Sequence, residues 1–572
     1  MSQVPRIRRR TPQPDAERTL TGIHPLLARL YAARGVQDVR HCQPRLQSLA
    51  PPELLDGIDA ATALLERALS ERWRILVVGD FDCDGAAGSA VAVRGLRLLG
   101  ACEVGYCVPH RMRHGYGLSP ELVDELPTPL PGLLVTVDSG IACHEGVARA
   151  RALGMRVLVT DHHLPGARLP QADAIVDPNL PGDGFPSKAL AGVGVVFYVL
   201  LALRARLRKA GWFRRLGLPE PDLIPLLDLV AVGTIADMVP LDVNNRALVA
   251  AGLRRIRAGQ ACAGIRALAE VAGRDPAAMV AADIGFALAP RINAAGRIQD
   301  MGIGIDCLLQ DDHGQALAQA RRLDAINRER RTLQREMLEQ ADALAEGAAS
   351  AAAPSLTVFD PRWHPGIVGL VASRLKERWH RPVVAFAPGE DGLLRGSARS
   401  VPGLHVRDAL ADVAARTPGL LVRFGGHAAA AGLTLSAGDL ERFGAAFEQV
   451  VSERLGPDPG EAELLSDGSL EPEWYGREIA DLLRFGGPWG QGFPEPLFDD
   501  CFQVQGWRVV GEAHLRLALV QPQHGLGIGA IAFGGWHGVP PPDRVHAAFE
   551  LVPDDYHGRG GIELRIRHWQ PA

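Results

Sequence analysis

Three aspartates fall on alternate positions, Asp80, Asp82 and Asp84, directly behind the apolar run of residues 75–78 and ahead of Gly85. Three carboxylates within five residues repel one another, and no basic residue is close enough in sequence to neutralise them. At the carboxyl end of a buried strand the usual remedy is a divalent cation bound through oxygen. An acidic surface turn is the alternative, because D-x-D-G also occurs in ordinary loops. Further along, Asp138-Ser139-Gly140, Asp161-His162-His163 and Asp177-Pro178-Asn179 each follow an apolar run of strand length. An imidazole among carboxylates tilts such a site towards manganese, or manganese and magnesium together. Two cations about 3.5–4 Å apart can activate a water and stabilise the leaving oxygen of a phosphoester. The chain has no GxSxG elbow, no GxxxxGK[ST] and no GxGxxG, so serine-hydrolase and nucleotide-cofactor readings have little support.

These residues need a scaffold that brings strand ends together. Residues 75–78, 104–108, 133–137, 156–160 and 174–176 read as strands, separated by helices over 86–99 and 144–153. That alternation predicts an α/β domain with a mainly parallel sheet, whose carboxyl ends share one edge. The acids at those ends should therefore converge, although one or two could serve as helix N-caps. Asp237 follows the apolar run 226–236 and by itself reads as a helix-start residue, while 283–297 reads as a loop with two arginines and Asn293. Residues 312–347 carry a long helical stripe, about 50 Å at 1.5 Å per residue. A second α/β unit spans 355–455, with residues 423–435 as a glycine- and alanine-rich turn into a helix or strand. A Gly/Pro-marked linker lies at 456–460. Beyond it, five segments alternate apolar and polar at period two, which predicts a small β-barrel. Residues 1–70 read as a short disordered start followed by helices.

Composition narrows the class. The chain has 572 residues, 47% hydrophobic and 22% charged, with ample material for about three domains. The longest apolar run, residues 191–203, is too short to span a bilayer. The arginine-rich start has no apolar segment behind it, so no secretory signal is expected. Eight cysteines without CxxC or Cys/His ligand spacing fit reduced thiols in a cytoplasm and give no structural zinc. Net charge is −5, so any nucleic-acid binding must rest on local patches. All basic residues but Lys188, Lys209 and Lys376 are arginines, so anion sites would be forked guanidinium sites.

In order along the chain, DFDCDG, VDSG, TDHH and GTIADMVPL resemble the four motifs of the DHH phosphoesterase superfamily. APRINAAGR, WHPGIVGLVASRL, GSARS and GGHAAAAG resemble the second lobe of its RecJ branch of single-strand-specific DNA exonucleases, and the β-rich tail resembles that branch's OB-fold. The resemblance covers residues 74–435 and then the tail. It implies that Asp82, Asp84, Asp138, His162 and Asp237 hold two metal ions, Mn2+ or Mg2+. It aligns Asp80 with the first acid of the family motif, in support of the site, and gives His163 contact with the scissile phosphate. Asp161 is expected to orient a neighbouring His or cap the following segment. Cys83 stands where the family usually has a small apolar residue.

The reaction so implied is hydrolysis of single-stranded DNA from the 5′ end, releasing 5′ mononucleotides, in recombination and repair. Ser397, Arg399 and His427 offer donors for a terminal phosphate. Arg111 is expected to reach the same anion, and Arg291 and Arg297 to meet backbone phosphates. A cleft between two lobes would admit only single strands. The barrel would hold the downstream strand, with Trp489, Phe493, Trp507 and Trp536 as candidate stacking platforms. The expected domains are a helical region (1–70), a catalytic DHH domain (71–305), a connector helix (306–353), a DHHA1 domain (354–456) and an OB-fold (461–572). Expected partners are single-stranded DNA, a single-strand-binding protein and a helicase; no membrane is involved, and a monomer is the default. The alternatives are a DHH phosphodiesterase acting on short nucleotides and a non-catalytic DNA-binding scaffold.

Overall fold

The computed structural model describes residues 6–11, 16–111, 113–348, 353–456, 463–522, 525–554 and 561–572. The expectations for the first five residues, for the end of the connector at 349–352 and for most of the 456–460 linker lie outside the described residues. The described residues divide into two compact units, one within 9–326 and 465–572 and one within 327–464 together with 6–8.

The first unit is built on a five-stranded sheet: β1 (Arg74–Val78), β2 (Glu103–Cys107), β3 (Leu133–Val137), β4 (Arg156–Thr160) and β5 (Ala174–Val176), in the order β2-β1-β3-β4-β5. Every neighbouring pair is parallel. β3 is buried throughout and β1 from its second residue onward, which explains their unbroken apolar runs where half-exposed strands would alternate. In this order the crossovers leave β1 in opposite directions, so a crevice opens at the carboxyl ends of β1 and β3. Helix α1 (Cys83–Leu98) starts in that crevice, and α2 (Gly192–Lys209) and α3 (Leu227–Ala236) pack on it. The apolar run 191–203 thus lies within a buried helix, and no helix among the described residues is long and apolar enough to cross a membrane.

Two local expectations are corrected here. Asp237 does not start a helix; it closes α3, its N–H donating to the Gly233 carbonyl. Residues 283–297 are not a loop. They form a π-helical turn, Ile284–Leu288, and then helix α5, Ala289–Ile298, after α4 at Val243–Arg257. Pro290 sits in the first turn of α5, where its missing N–H costs nothing.

Helix α6, His313–Ala348, runs for 36 residues. The other unit carries β6 (Leu356–Phe359), β7 (Val383–Pro388), β8 (Leu393–Arg399), β9 (Arg423–Gly426) and β10 (Ala430–Ser436), in the order β9-β10-β8-β7-β6. The glycine- and alanine-rich segment is therefore a two-stranded hairpin, with Ala430 opposite Arg399 and Gly432 opposite Ser397.

The five period-two segments close into a barrel of β11 (Phe498–Val510), β12 (His514–Gln521), β13 (Leu526–Ala532), β14 (Arg544–Asp554) and β15 (Gly561–Pro571). The segment leading into it packs against other parts of the same unit. Leu241 N donates to Gln491 O at 2.7 Å. The fully buried Arg246 of α4 lies 3.9 Å from the Phe493 ring centroid and donates to His41 O. Trp489 and Phe493 stack on each other in this joint with 6% and 3% exposure, so neither is a nucleic-acid platform. Trp507 and Trp536 stack 5.4 Å apart, and Trp507 is 42% exposed.

Candidate active site

The acids at the strand ends do meet. Asp82 caps α1, one of its oxygens accepting from Asp84 N and Gly85 N, both at 3.0 Å. Asp84 is buried, and its two oxygens accept from Gly192 N at 2.7 Å and Val193 N at 3.1 Å at the start of α2. The exposed N–H groups and positive end of that helix favour the charged carboxylate. Asp138, beyond β3, is held at φ 61°, a left-handed conformation that Asp tolerates better than most residues. His162 Nε2 lies 3.0 Å from Asp138 Oδ1 and 3.5 Å from Asp237 Oδ2.

Donor atoms of Asp80, Asp82 and Asp138, of Asp84, His162 and Asp237, and of Asp138, His162 and His163 form three sets, each within 4.8 Å. Within this pocket Asp80 Oδ1 is buried and receives no hydrogen bond from any described residue. Burial, and then repulsion from neighbouring acids, pushes Asp80, Asp84 and Asp138 well above the usual carboxylate range, and lifts Asp237 to about 7. An orphaned buried oxygen amid carboxylates that cannot all ionise together is the environment a pair of hard cations relieves. The residues present therefore fit divalent metal.

Asp161 works through its neighbours. Its oxygens accept from Ile141 N at 2.9 Å, His162 N at 2.7 Å and His163 Nδ1 at 2.8 Å. Burial alone would raise its pKa, but the bond and charge of His163, the Ile141 N–H and the nearby His162 together hold it below the usual range. Burial would lower the His163 pKa, but that bond together with the negative charge of Asp161, Asp237 and Asp80 lifts the imidazole to about 9. Arg111 reaches the same pocket. Its guanidinium lies 3.8 Å from the Phe81 ring centroid, and Nε donates to Gly296 O at 3.1 Å. Burial lowers its pKa, offset in part by Asp80 and Asp82.

Arg291 is not available to a substrate. It is buried on α5, donating to Asp324 Oδ1 at 3.0 Å and to Ala287 O at 2.6 Å. The sequence shows two equivalent-looking arginines six residues apart; which of them faces the core depends on α6, which carries Asp324. Arg297 is half-buried in the last turn of α5.

In the other unit, Arg399 Nη1 donates to Ser397 Oγ at 2.8 Å and its Nε to Ser373 Oγ at 3.1 Å, so hydroxyls hold the guanidinium in place. His427 is exposed at the turn of the adjacent hairpin, its N–H donating to Ala430 O at 2.8 Å.

Several further groups support the site without having been assigned a role from the sequence. Tyr116 OH donates to the Asp138 carbonyl at 3.0 Å, and its ring meets His163 edge-on. Asn179 Nδ2 donates to the His162 carbonyl at 2.6 Å, and Asn293 Oδ1 accepts from Cys83 N at 2.8 Å. Gly192 and Gly233 are required by close approach. A Cβ on the first would lie 2.6 Å from Asp138 Cβ, and on the second 2.7 Å from Asp84 Oδ1. The only signal for Asn179 was its place after a strand-end acid; Gly233 opens the GTIADMVPL segment, and nothing local marked Gly192.

A parallel sheet that delivers acids and a histidine to its switch point defines the class, and comparison with known families agrees. Residues 74–234 match the DHH family, N-terminal domain; 351–453 match the DHHA1 domain, and 466–568 the RecJ OB domain. The single-stranded-DNA-specific exonuclease RecJ of Salmonella typhimurium is 47% identical over 99% of this chain and 99% of its own length. That of Dickeya dadantii is 48% identical over the whole of both chains. The crystal structure of Thermus thermophilus RecJ in complex with Mn2+ superposes with a TM-score of 0.81 at 34% identity, covering 99% of this chain and 79% of that one. Its Mg2+ counterpart gives 0.76 at 32% identity, covering 99% and 78%. This chain belongs to the RecJ family of the DHH proteins.

Proposed function

We propose that this chain is a metal-dependent exonuclease that hydrolyses the phosphodiester bonds of single-stranded DNA from the 5′ end and releases 5′ mononucleotides. The observation that carries this reading is that Asp82, Asp84, Asp138, Asp237 and His162 fall into overlapping clusters of potential ligands, one of which includes Asp80, whose buried Oδ1 no donor satisfies among the described residues. Those five residues would hold two cations, Mn2+ or Mg2+ as in the Thermus thermophilus structures, with Asp80 beside them. When bound, the pair supplies a water that loses its proton near neutral pH and stabilises charge on the leaving oxygen.

The chain's own groups do the positioning. Asp84 is clamped by the α2 N-terminus, and Asp161 fixes the His163 ring so that its other nitrogen can donate to a phosphate oxygen. Arg111, braced on Phe81, offers a guanidinium to the same anion. In the other unit Ser397, Arg399 and His427 offer hydroxyl, guanidinium and imidazole donors for a 5′-terminal phosphate. The barrel holds the downstream strand by charge and stacking, with Trp507 exposed for it. Such an enzyme would act on cytoplasmic DNA in recombination and repair, on strands exposed by a helicase or coated by a single-strand-binding protein.

The test is release of mononucleotides from 5′-labelled single-stranded DNA as Mn2+ is titrated. Asp138→Asn is expected to lower turnover at least about 100-fold, since even partners behind a ligand cost 10- to 100-fold. Full-rate digestion by Asp138→Asn, or by chelator-stripped wild type, would overturn the reading.

A further inference from the structure

Helix α3 ends at the ligand Asp237, and two large apolar side chains, one next to Asp237 in sequence and one on a turn packed against α3, are not buried. Met238 follows directly, 69% exposed and held at φ 61°. Residues other than glycine rarely adopt that conformation, and they tend to persist in it at functional sites. Phe286 lies on the π-helical turn Ile284–Leu288, which packs against α3. Ile284, Ala287 and Leu288 are buried, whereas Phe286 is 79% exposed. A Cβ on its neighbour Gly285 would lie 3.5 Å from Ile235 Cγ2, two residues before Asp237. Single π-helical turns recur at functional sites because they rotate one side chain out of helical register. Here the exposed side chain is an aromatic ring on a turn that packs against the helix closed by Asp237.

The occupant follows from the site. A single strand whose phosphate reaches the Asp237 cluster carries an unpaired base on every nucleotide, and unpaired bases stack on exposed apolar and aromatic faces. The barrel's lead-in also meets this loop, Leu241 N donating to Gln491 O at 2.7 Å. We infer that Phe286 and Met238 form a stacking shelf for the bases next to the scissile phosphate, so that the chain grips bases as well as phosphates at the reacting end. The inference deepens the nuclease reading and rests on it.

The test pairs protein and strand variants. Phe286→Ala is expected to raise KM for single-stranded DNA about 10-fold, with most of the loss in KM and not in kcat, and Phe286→Trp to restore it. Met238→Ala moves KM in the same direction by less. A strand with an abasic residue near its 5′ end should bind the wild type about 10-fold more weakly than the intact strand, and Phe286→Ala should lose that discrimination. Anisotropy with a phosphorothioate strand reads the same ratios without turnover. Unchanged affinity in Phe286→Ala, or equal discrimination against the abasic strand by wild type and variant, overturns the shelf. Absence of Mn2+-dependent turnover in the wild type overturns the nuclease reading instead.

Discussion

Adding one methyl group at Gly233 should disable the metal site while leaving the fold intact. Gly233 lies in the interior of α3, and a Cβ there would stand 2.7 Å from Asp84 Oδ1 and 2.8 Å from Val193 Cγ1. Relief requires the carboxylate or the helix to move by roughly half an ångström or more, because close contacts between such atoms are strongly repulsive. Asp84 cannot move freely, since Gly192 N and Val193 N hold its two oxygens at 2.7 and 3.1 Å. Overpacking of this kind costs about 1–3 kcal/mol, while replacing a mid-helix glycine by alanine returns about 1 kcal/mol. The net loss of stability in Gly233→Ala should be about 0–2 kcal/mol, measurable as a small shift of Tm. Catalysis should suffer far more, about 100-fold, because misplacing a catalytic group by an ångström has that effect. The assay is Mn2+-dependent nucleotide release together with the apparent Mn2+ affinity. Gly105→Ala on β2 is the control, since its nearest neighbour, Leu76 Cδ1, is at an ordinary 3.6 Å. Wild-type kcat and Mn2+ affinity in Gly233→Ala would refute the argument that backbone approach, and not charge alone, builds this site.

Two further outcomes follow from buried charge. Arg291→Ala removes a charged hydrogen-bond partner of the buried Asp324, so stability should fall by about 1–3 kcal/mol; a raised KM with unchanged denaturation would return Arg291 to the substrate. At the barrel's first strand, burial would raise the Asp499 pKa, but hydrogen bonds from Arg9, Ser466 and His546 hold it below the usual value. A carboxyl depressed on folding contributes stability above its unfolded pKa, near 4, and loses it as pH falls through the folded value. Thermal melts from pH 6 to pH 3 should therefore lose Tm more steeply in the wild type than in Asp499→Asn, and identical slopes would contradict the assignment.

Much of the site was legible because its parts are local. An apolar strand followed by an acid is a short pattern, and β3, β4 and β5 begin and end where that pattern does. The barrel was equally legible, since alternation with period two records one wet and one dry face. Misreadings fell where a distant element decides. Residues 283–297 lack helical apolar spacing because they are packed on several sides, so periodicity read a loop where there is a π-turn and a helix. Trp489 and Phe493 looked like platforms because an aromatic residue in a sequence does not say which way it faces; Arg246 and Tyr31 cover them.

The sequence by itself determined the chemistry available to this chain: which strands end in acids, that a histidine pair accompanies them, and that a small barrel follows. Those facts depend on residue type and spacing over a few positions. Tertiary structure alone decided that Asp237 from a helix end meets His162 from a strand end, that Arg291 is spent on Asp324, and that Phe286 is left bare. Each depends on which backbones approach within a few ångströms, and that is set by packing between segments far apart in the chain.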